Sequence, residues 1–325
     1  LEAVRTLYAY WFRYGSPVTM GVFRALMSGL IFVNGVMVGL FRSDWVSENG
    51  YIPAWVASKY LDNRVYLGGD GFSLPRISLL NGVTNPTLLF CFYWLVVLAS
   101  LLSMLGLWTR VSTAVMAIGV VSLQLRTGPF LHGGDSVMRV CALYIAIAPS
   151  GLAFSLDRYI GLRRGTVPLE LPLVSLWPQR LVQFNCAIIY FTTTWAKWFG
   201  VLWKSGAATW YPARLHEFDR FPVPAFLNDF PMVKVTTWGT LAVEFAMATL
   251  VWFAPLRKYV LLAGIGLHLY IEYSMNIPLF AFLMISMYVT YYEGEEVSTW
   301  WVQMKSRFGR KAHTATLSST ESVER

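Results

Sequence analysis

Seven or eight stretches of this chain stay apolar for about twenty residues each, near 17–41, 84–107, 111–131, 135–156, 179–203, 232–254, 257–277 and 278–292. About twenty apolar residues in a helix span the roughly 30 Å hydrocarbon layer of a bilayer. In that layer every backbone N–H and C=O must be paired within the segment, which a helix does and an irregular chain does not. The expected fold is therefore all-α: an integral membrane bundle of about eight transmembrane helices, with amphipathic interfacial helices and two longer outer loops. Composition points the same way, since 56% of the 325 residues are apolar and 14% charged, against about a quarter charged in a soluble domain. The 16% aromatic content suits a protein with two membrane interfaces to populate.

Asn276, Ile277 and Pro278 fall between the last two runs. They read either as a tight turn between two helices or as a break or Pro kink in one longer region. Residues 1–16 carry Val4, Leu7, Tyr8 and Trp11 on one side of a helix, the pattern of an amphipathic segment lying in the interface. The expected division is this interfacial segment, a transmembrane domain over 17–292, and a tail over 293–325, partly disordered. The stretch from Arg42 to Thr84 contains SDWVSENGYIPAW and GGDGFSLPR, with turn signals in a loop too long for a simple connector.

A net charge of +8 raises the question of nucleic acid, but such a partner needs a clustered basic face. Here Lys and Arg lie mainly between apolar runs, so no nucleic-acid partner is expected. With eight helices and both termini inside, thirteen Lys and Arg fall on the inner segments and eight on the two long outer loops. That bias predicts a multi-pass cell-membrane protein with both termini cytoplasmic. Cys91, Cys141 and Cys186 are scattered in apolar runs and read as small buried hydrophobes.

A charge at bilayer depth costs at least about 2.5–3.5 kcal/mol on insertion scales, so each needs a partner or a wet cavity. Lys197, in IIYFTTTWAKWFGVLW, reads equally as a desolvated general base and as a side chain snorkelling to the outer headgroups. Asp135 and Arg139 stand four apart at the start of the fourth run, a spacing that permits an ion pair, while Asp135 alone also suits a helix cap. Arg126 reaches the same level from the third run as counter-ion of a carboxylate. Glu244 lies in the middle of the sixth run with apolar neighbours, Lys197 or Arg126 being its candidate partners. His268 and Glu272 share a face of the seventh; packing and site roles both stand for this His. Metal-ligand spacing, phosphate loops and a GxSxG elbow are absent. The remaining groups, three cationic and three acidic, are expected to meet in an outer-leaflet polar cavity.

The segments RTGPFLHGGDSVMRVCALYIAIAPSGLAFSLDR, IIYFTTTWAKWFGVLWKSGAATW and GLHLYIEYSMNIPLFAFLMIS, in that order and spacing, resemble the HTTM family. This is the membrane domain shared by vitamin K-dependent gamma-carboxylases and bacterial relatives that include sporulation-delaying protein B. The resemblance implies that Lys197 inherits the place of the base acting on a vitamin K-type hydroquinone, and that His268 lines the quinol site. Asp135 stands where the carboxylases carry a His, and the large extramembrane domain that grips their glutamate substrate has no counterpart here. Size and organisation therefore resemble sporulation-delaying protein B more than a complete carboxylase. The expected catalytic residues are Lys197, Asp135 and His268, with Arg126, Arg139, Glu244, Glu272 and Trp195 around a bound quinol. Expected partners are the lipid bilayer, a secreted peptide precursor and a second small membrane protein. A quinol-dependent modifying enzyme and a non-catalytic partner in peptide-toxin maturation are the two functional expectations; transport is a weaker third, because no inverted repeat is visible.

Overall fold

The apolar runs fold as helices, and the residues at their ends explain where each one stops. The computed structural model describes residues 2–62, 65–66, 73–74, 78–127, 131–218, 220–303 and 306. The GGDGFSLPR segment, apart from Ser73 and Leu74, and the tail beyond 306 lie outside the described residues. An amphipathic α1 (Glu2–Phe12) precedes α2 (Val18–Gly39), followed by the short α3 (Arg42–Val46) and α4 (Ala54–Asp62). Then come α5 (Pro86–Leu105), α6 (Thr109–Arg126), α7 (Gly133–Ile147) and the short α8 (Leu156–Arg163). The second half holds α9 (Trp177–Trp198), the five-residue α10 (Val201–Ser205), α11 (Phe230–Thr249), α12 (Ala254–Ser274) and α13 (Phe280–Tyr288). Extended structure among the described residues is confined to two antiparallel pairs of two-residue strands, Tyr14–Gly15 with Val174–Ser175 and Val65–Tyr66 with Ser73–Leu74.

Three helical segments are long and apolar enough to cross a bilayer, Val18–Gly39, Pro86–Leu105 and Phe230–Trp252, the last including a closing 3-10 turn. Local chemistry shortens others relative to their apolar runs. The fourth run stops at Ile147 because Ala148 precedes Pro149 and takes an extended conformation, as a residue before proline prefers. The fifth stops at Trp198, and Gly200 is extended before α10 begins. The segment around Pro278 is a break between two helices: α12 ends at Ser274, and α13 starts after Leu279, held in the left-handed region at φ 62°.

Packing divides the bundle into two groups. Helices α2, α5 and α6 pack in succession, α9, α11 and α12 form the other group, and α7 and α13 touch both. Small residues set the first group's spacing. A Cβ at Gly119 of α6 would overlap Val96 of α5, and one at Gly35 of α2 would meet Val97 at 3.0 Å. Close backbone approach of this kind is how helices associate where apolar surface gains nothing from leaving lipid. The continuous core runs through Phe23, Met27, Met116, Ile145, Val182, Met247 and Leu283. Large apolar side chains such as Leu98, Ile118, Phe245 and Leu262 cover the exterior, where they face hydrocarbon once the protein is in a membrane.

At the end where α5 meets α6, fully buried Arg24 donates to the backbone carbonyls of Ser103 and Phe154. These include a carbonyl near the α5 C-terminus, where a cation is favoured by the helix dipole. Gly106, at φ 69°, ends α5. Asp157 of α8 accepts from the N–H groups of Trp108 and Thr109 at 2.8 and 2.7 Å, so α8 also fastens the α5–α6 hairpin. Helix α1 lies against α9, with Trp11 edge-on to Phe184 and Arg180 over the Tyr10 ring.

Candidate functional site

Helix α9 carries Tyr190, Thr193 and Lys197 at intervals of three and four, a spacing that a helix gathers on one face. Opposite it, α11 presents Glu244. Lys197 Nζ and Glu244 Oε1 form an ion pair, with side-chain exposures of 25% and 9%. Thr193 Oγ1 donates to Glu244 Oε2 at 3.5 Å, so both carboxylate oxygens are engaged. Glu244 is fourteen residues into α11, about 21 Å at 1.5 Å per residue, far from the helix's first turn. Lys197 is thus held inside the bundle by a carboxylate partner. Its ammonium also sits 5.0 Å from the centre of the Trp203 ring, a cation–π contact supplied by α10.

Two turns earlier on α9 a second polar group begins. Tyr190 Oη is 2.6 Å from His268 Nε2 of α12 and 2.5 Å from Tyr288 Oη of α13. All three side chains are buried. His268 Nδ1 is also buried and has no partner among the described residues. The chain Tyr288–Tyr190–His268 thus joins three helices directly below the Lys197–Glu244 pair on α9. Sequence reasoning missed Tyr190 and Tyr288, because tyrosine in an apolar run reads as core; the polar stripe on α9 was the available signal.

The other candidate residues fall in separate places. Asp135 caps α7: its carboxylate accepts from the His132 N–H at 3.0 Å while His132 Nδ1 accepts from the Gly134 N–H at 2.9 Å, a reciprocal capping box. The Asp135–Arg139 ion pair that the spacing permits does not form, and the acidic group faces back to His132, 3.5 Å from its Nε2. Buried Arg126 donates to the Val83 carbonyl at 3.2 Å and lies 3.5 Å from Glu48, so its carboxylate comes from the segment between α3 and α4 and not from Glu244. Glu272 pairs with Arg220 at 2.5 Å and not with His268, although both lie on α12. Trp195, 60% exposed, stacks on Phe191 on the outer surface of α9. Among the described residues no three His, Cys, Asp or Glu side chains come together as a metal site.

One polar cluster therefore joins α9, α11, α12 and α13, while Arg126 and Asp135 belong to the α2–α5–α6–α7 side. On that side lies a mainly apolar cavity of about 430 Å³ that reaches Asp135 and His132.

A helical bundle with an apolar exterior and ionisable groups paired inside is an integral membrane protein. The HTTM domain model matches residues 16–295. The chain belongs to this family of vitamin K-dependent carboxylase-like membrane proteins. No curated protein and no solved structure matches it.

Proposed function

We propose that the chain crosses the cell membrane eight times with both termini in the cytoplasm, and that the Lys197–Glu244 pair handles a proton from a vitamin K-type quinol during modification of a secreted peptide. The observation that carries this reading is the ion pair itself. An ionisable pair inside a membrane bundle is costly to build, and such residues there typically serve proton or substrate pathways. When bound, a quinol supplies the reducing chemistry. The residues of the chain supply the proton handling. The proton of the ammonium can pass to the Glu244 carboxylate, which leaves neutral Lys197 Nζ as the atom that accepts a proton from a hydroxyl. Thr193 holds the carboxylate in place for this exchange. His268, fixed by Tyr190, offers the next exchangeable proton along the same wall. Trp203 shields the amine from water.

A second reading is supported by the completeness of the same pairing. Mutual neutralisation already accounts for Lys197 and Glu244 as a structural lock, which suits a non-catalytic partner that holds a peptide precursor and a second small membrane protein during maturation. Two measurements separate the readings. Extraction and mass spectrometry of the purified protein would reveal co-purified quinone, and oxygen-dependent consumption of added quinol would be followed for the native chain and Lys197→Ala. The enzyme reading expects quinone in the native preparation and consumption lost in a folded Lys197→Ala variant. No bound quinone, with equal background consumption by both proteins, overturns it in favour of the non-catalytic partner.

A further inference from the structure

Where α2 ends and α5 begins lies a second cavity, of about 400 Å³, within the usual range of small-molecule sites, about 300–1,000 Å³. Both helices are long and apolar enough to span a bilayer, and Gly39 at the end of α2 faces Tyr93 and Trp94 of α5. The cavity therefore stands at a membrane boundary. Helix α3 brings Arg42, Ser43 and Ser47 to it, and the first turn of α5 brings Thr87. Leu89, Phe90 and Tyr93 continue the wall into the span, so the lining on α5 runs from 86 to 93, about 10 Å at 1.5 Å per residue. Charge and hydroxyls thus gather at one end and apolar surface at the other.

The polar end has donors to spare. Arg42 is partly buried, with its guanidinium 4.8 Å from the centre of the Phe90 ring. It donates to the Gly39 carbonyl at 3.4 Å and has no carboxylate partner among the described residues. Ser43 and Ser47 spend their protons on Asp44 and on the Ser43 carbonyl, whereas the Thr87 hydroxyl makes no hydrogen bond among the described residues. A guanidinium with free N–H groups suits two oxygens of one phosphate. No Asp or Glu lines the cavity, so the ammonium of a zwitterionic headgroup would find no counter-ion there. The apolar wall, which offers nothing to a free ion, continues through Leu88 and Phe90, 59% and 46% exposed, to the surface that meets lipid.

We propose that this cavity binds an anionic phospholipid of the bilayer, its phosphate held by Arg42 and the Thr87 hydroxyl and one acyl chain lying over Phe90 along α5. No residue of the Lys197–Glu244 cluster lines the cavity, so the assignment is independent of any quinol chemistry.

The test uses the full chain in phosphatidylcholine nanodiscs containing a phosphatidylglycerol with a photoreactive group near the start of one chain, and mass spectrometry to locate labelled peptides. Labelling is expected on residues 42–47 and 86–93. Unlabelled phosphatidylglycerol should compete, while glycerol phosphate and inorganic phosphate should not. Arg42→Gln should weaken labelling about tenfold or more, as expected for hydrogen bonds to a charged group. Thr87→Val, a change of nearly equal volume at an exposed residue, should weaken it about twofold to fivefold and keeps the test decisive if Arg42→Gln fails to fold. Arg110→Gln, which removes an exposed charge in the first turn of α6, should leave labelling unchanged. Labelling spread evenly over the lipid-facing surface, labelling that a folded Arg42→Gln or Thr87→Val does not weaken, an equal loss with Arg110→Gln, or no labelling would overturn the assignment. Competition by glycerol phosphate or inorganic phosphate would overturn it in favour of a site for free anions.

Discussion

The Lys197–Glu244 pair permits a quantitative test through a double-mutant cycle of Lys197→Met, Glu244→Leu and the two together. Removing one member of a buried ion pair leaves the other charge without compensation, at a cost of about 3–5 kcal/mol. Lys197 retains a quarter of its side-chain exposure and keeps the Trp203 ring beside its ammonium. Its loss of Glu244 therefore falls at or just below the bottom of that range, about 2–3 kcal/mol. Glu244, with 9% side-chain exposure, keeps only Thr193 when Lys197 is gone, and a similar cost follows. Replacing both by apolar side chains removes both desolvation penalties, so the double variant should lie within about 1 kcal/mol of the native protein. The coupling energy is then about 3–6 kcal/mol, at or above the upper end for interacting residues. Steric trapping in bilayer discs, or unfolding in sodium dodecyl sulfate followed by tryptophan fluorescence, measures all four proteins. Single losses that add within about 0.5 kcal/mol would refute the argument. They would mean that Lys197 reaches the headgroups on its own and that Glu244 is satisfied elsewhere.

Other substitutions probe the remaining parts of the bundle. Tyr190→Phe removes the hydroxyl shared by His268 and Tyr288 and should cost about 2–4 kcal/mol, from unpaired buried groups at about 1–3 kcal/mol each; the triple change with His268→Leu and Tyr288→Phe should recover most of this in the same unfolding assay. Asp135→Ala should lose about 1 kcal/mol of stability as the α7 cap is broken, whereas Asp135→Asn, which keeps an acceptor for the His132 N–H, should lose less than about 0.5 kcal/mol. Equal losses would show that the charge, and not the cap, is what α7 requires. Gly119→Leu puts side-chain volume where α6 meets Val96 of α5 and should destabilise by about 1–3 kcal/mol or more through overpacking; an unchanged unfolding midpoint would contradict the close α5–α6 contact.

Hydropathy made most of the helices legible because burial in lipid and burial in the core both demand apolar side chains. It left the helix ends to local chemistry, and the residues that set them were in view: Pro149 behind Ala148, and Gly200 behind Trp198. Partner choice was legible only where the alternatives were few. Glu244 needed a cation, and Lys197 was one of two within reach. Arg126 and Glu272 instead found Glu48 and Arg220, which lie in connecting segments whose folding back onto the bundle leaves no periodic trace. Asp135 had two local options four and three residues away. The backbone N–H of His132 prevailed over Arg139 because a helix's first turn has unpaired donors that a carboxylate can satisfy without being fully desolvated.

The most consequential of these local breaks is the one at Gly200. Had α9 run on to residue 203 as its hydropathy suggests, Trp203 would have risen another turn and a half above Lys197 along the same rod. The extended Gly200 instead starts α10 in a new direction, and Trp203 returns to the lysine's ammonium. A Cβ at position 200 would stand 2.8 Å from Trp203 Cδ1, so the small residue permits both the turn and the ring's position. The charge pair is consequently enclosed by an aromatic group from its own chain, on a segment of five helical residues whose placement relative to α9 depends on one glycine. This makes access to the lysine a property of α10 as much as of the bundle, and it ties the chemistry proposed for Lys197 to a backbone feature that apolar periodicity alone does not reveal.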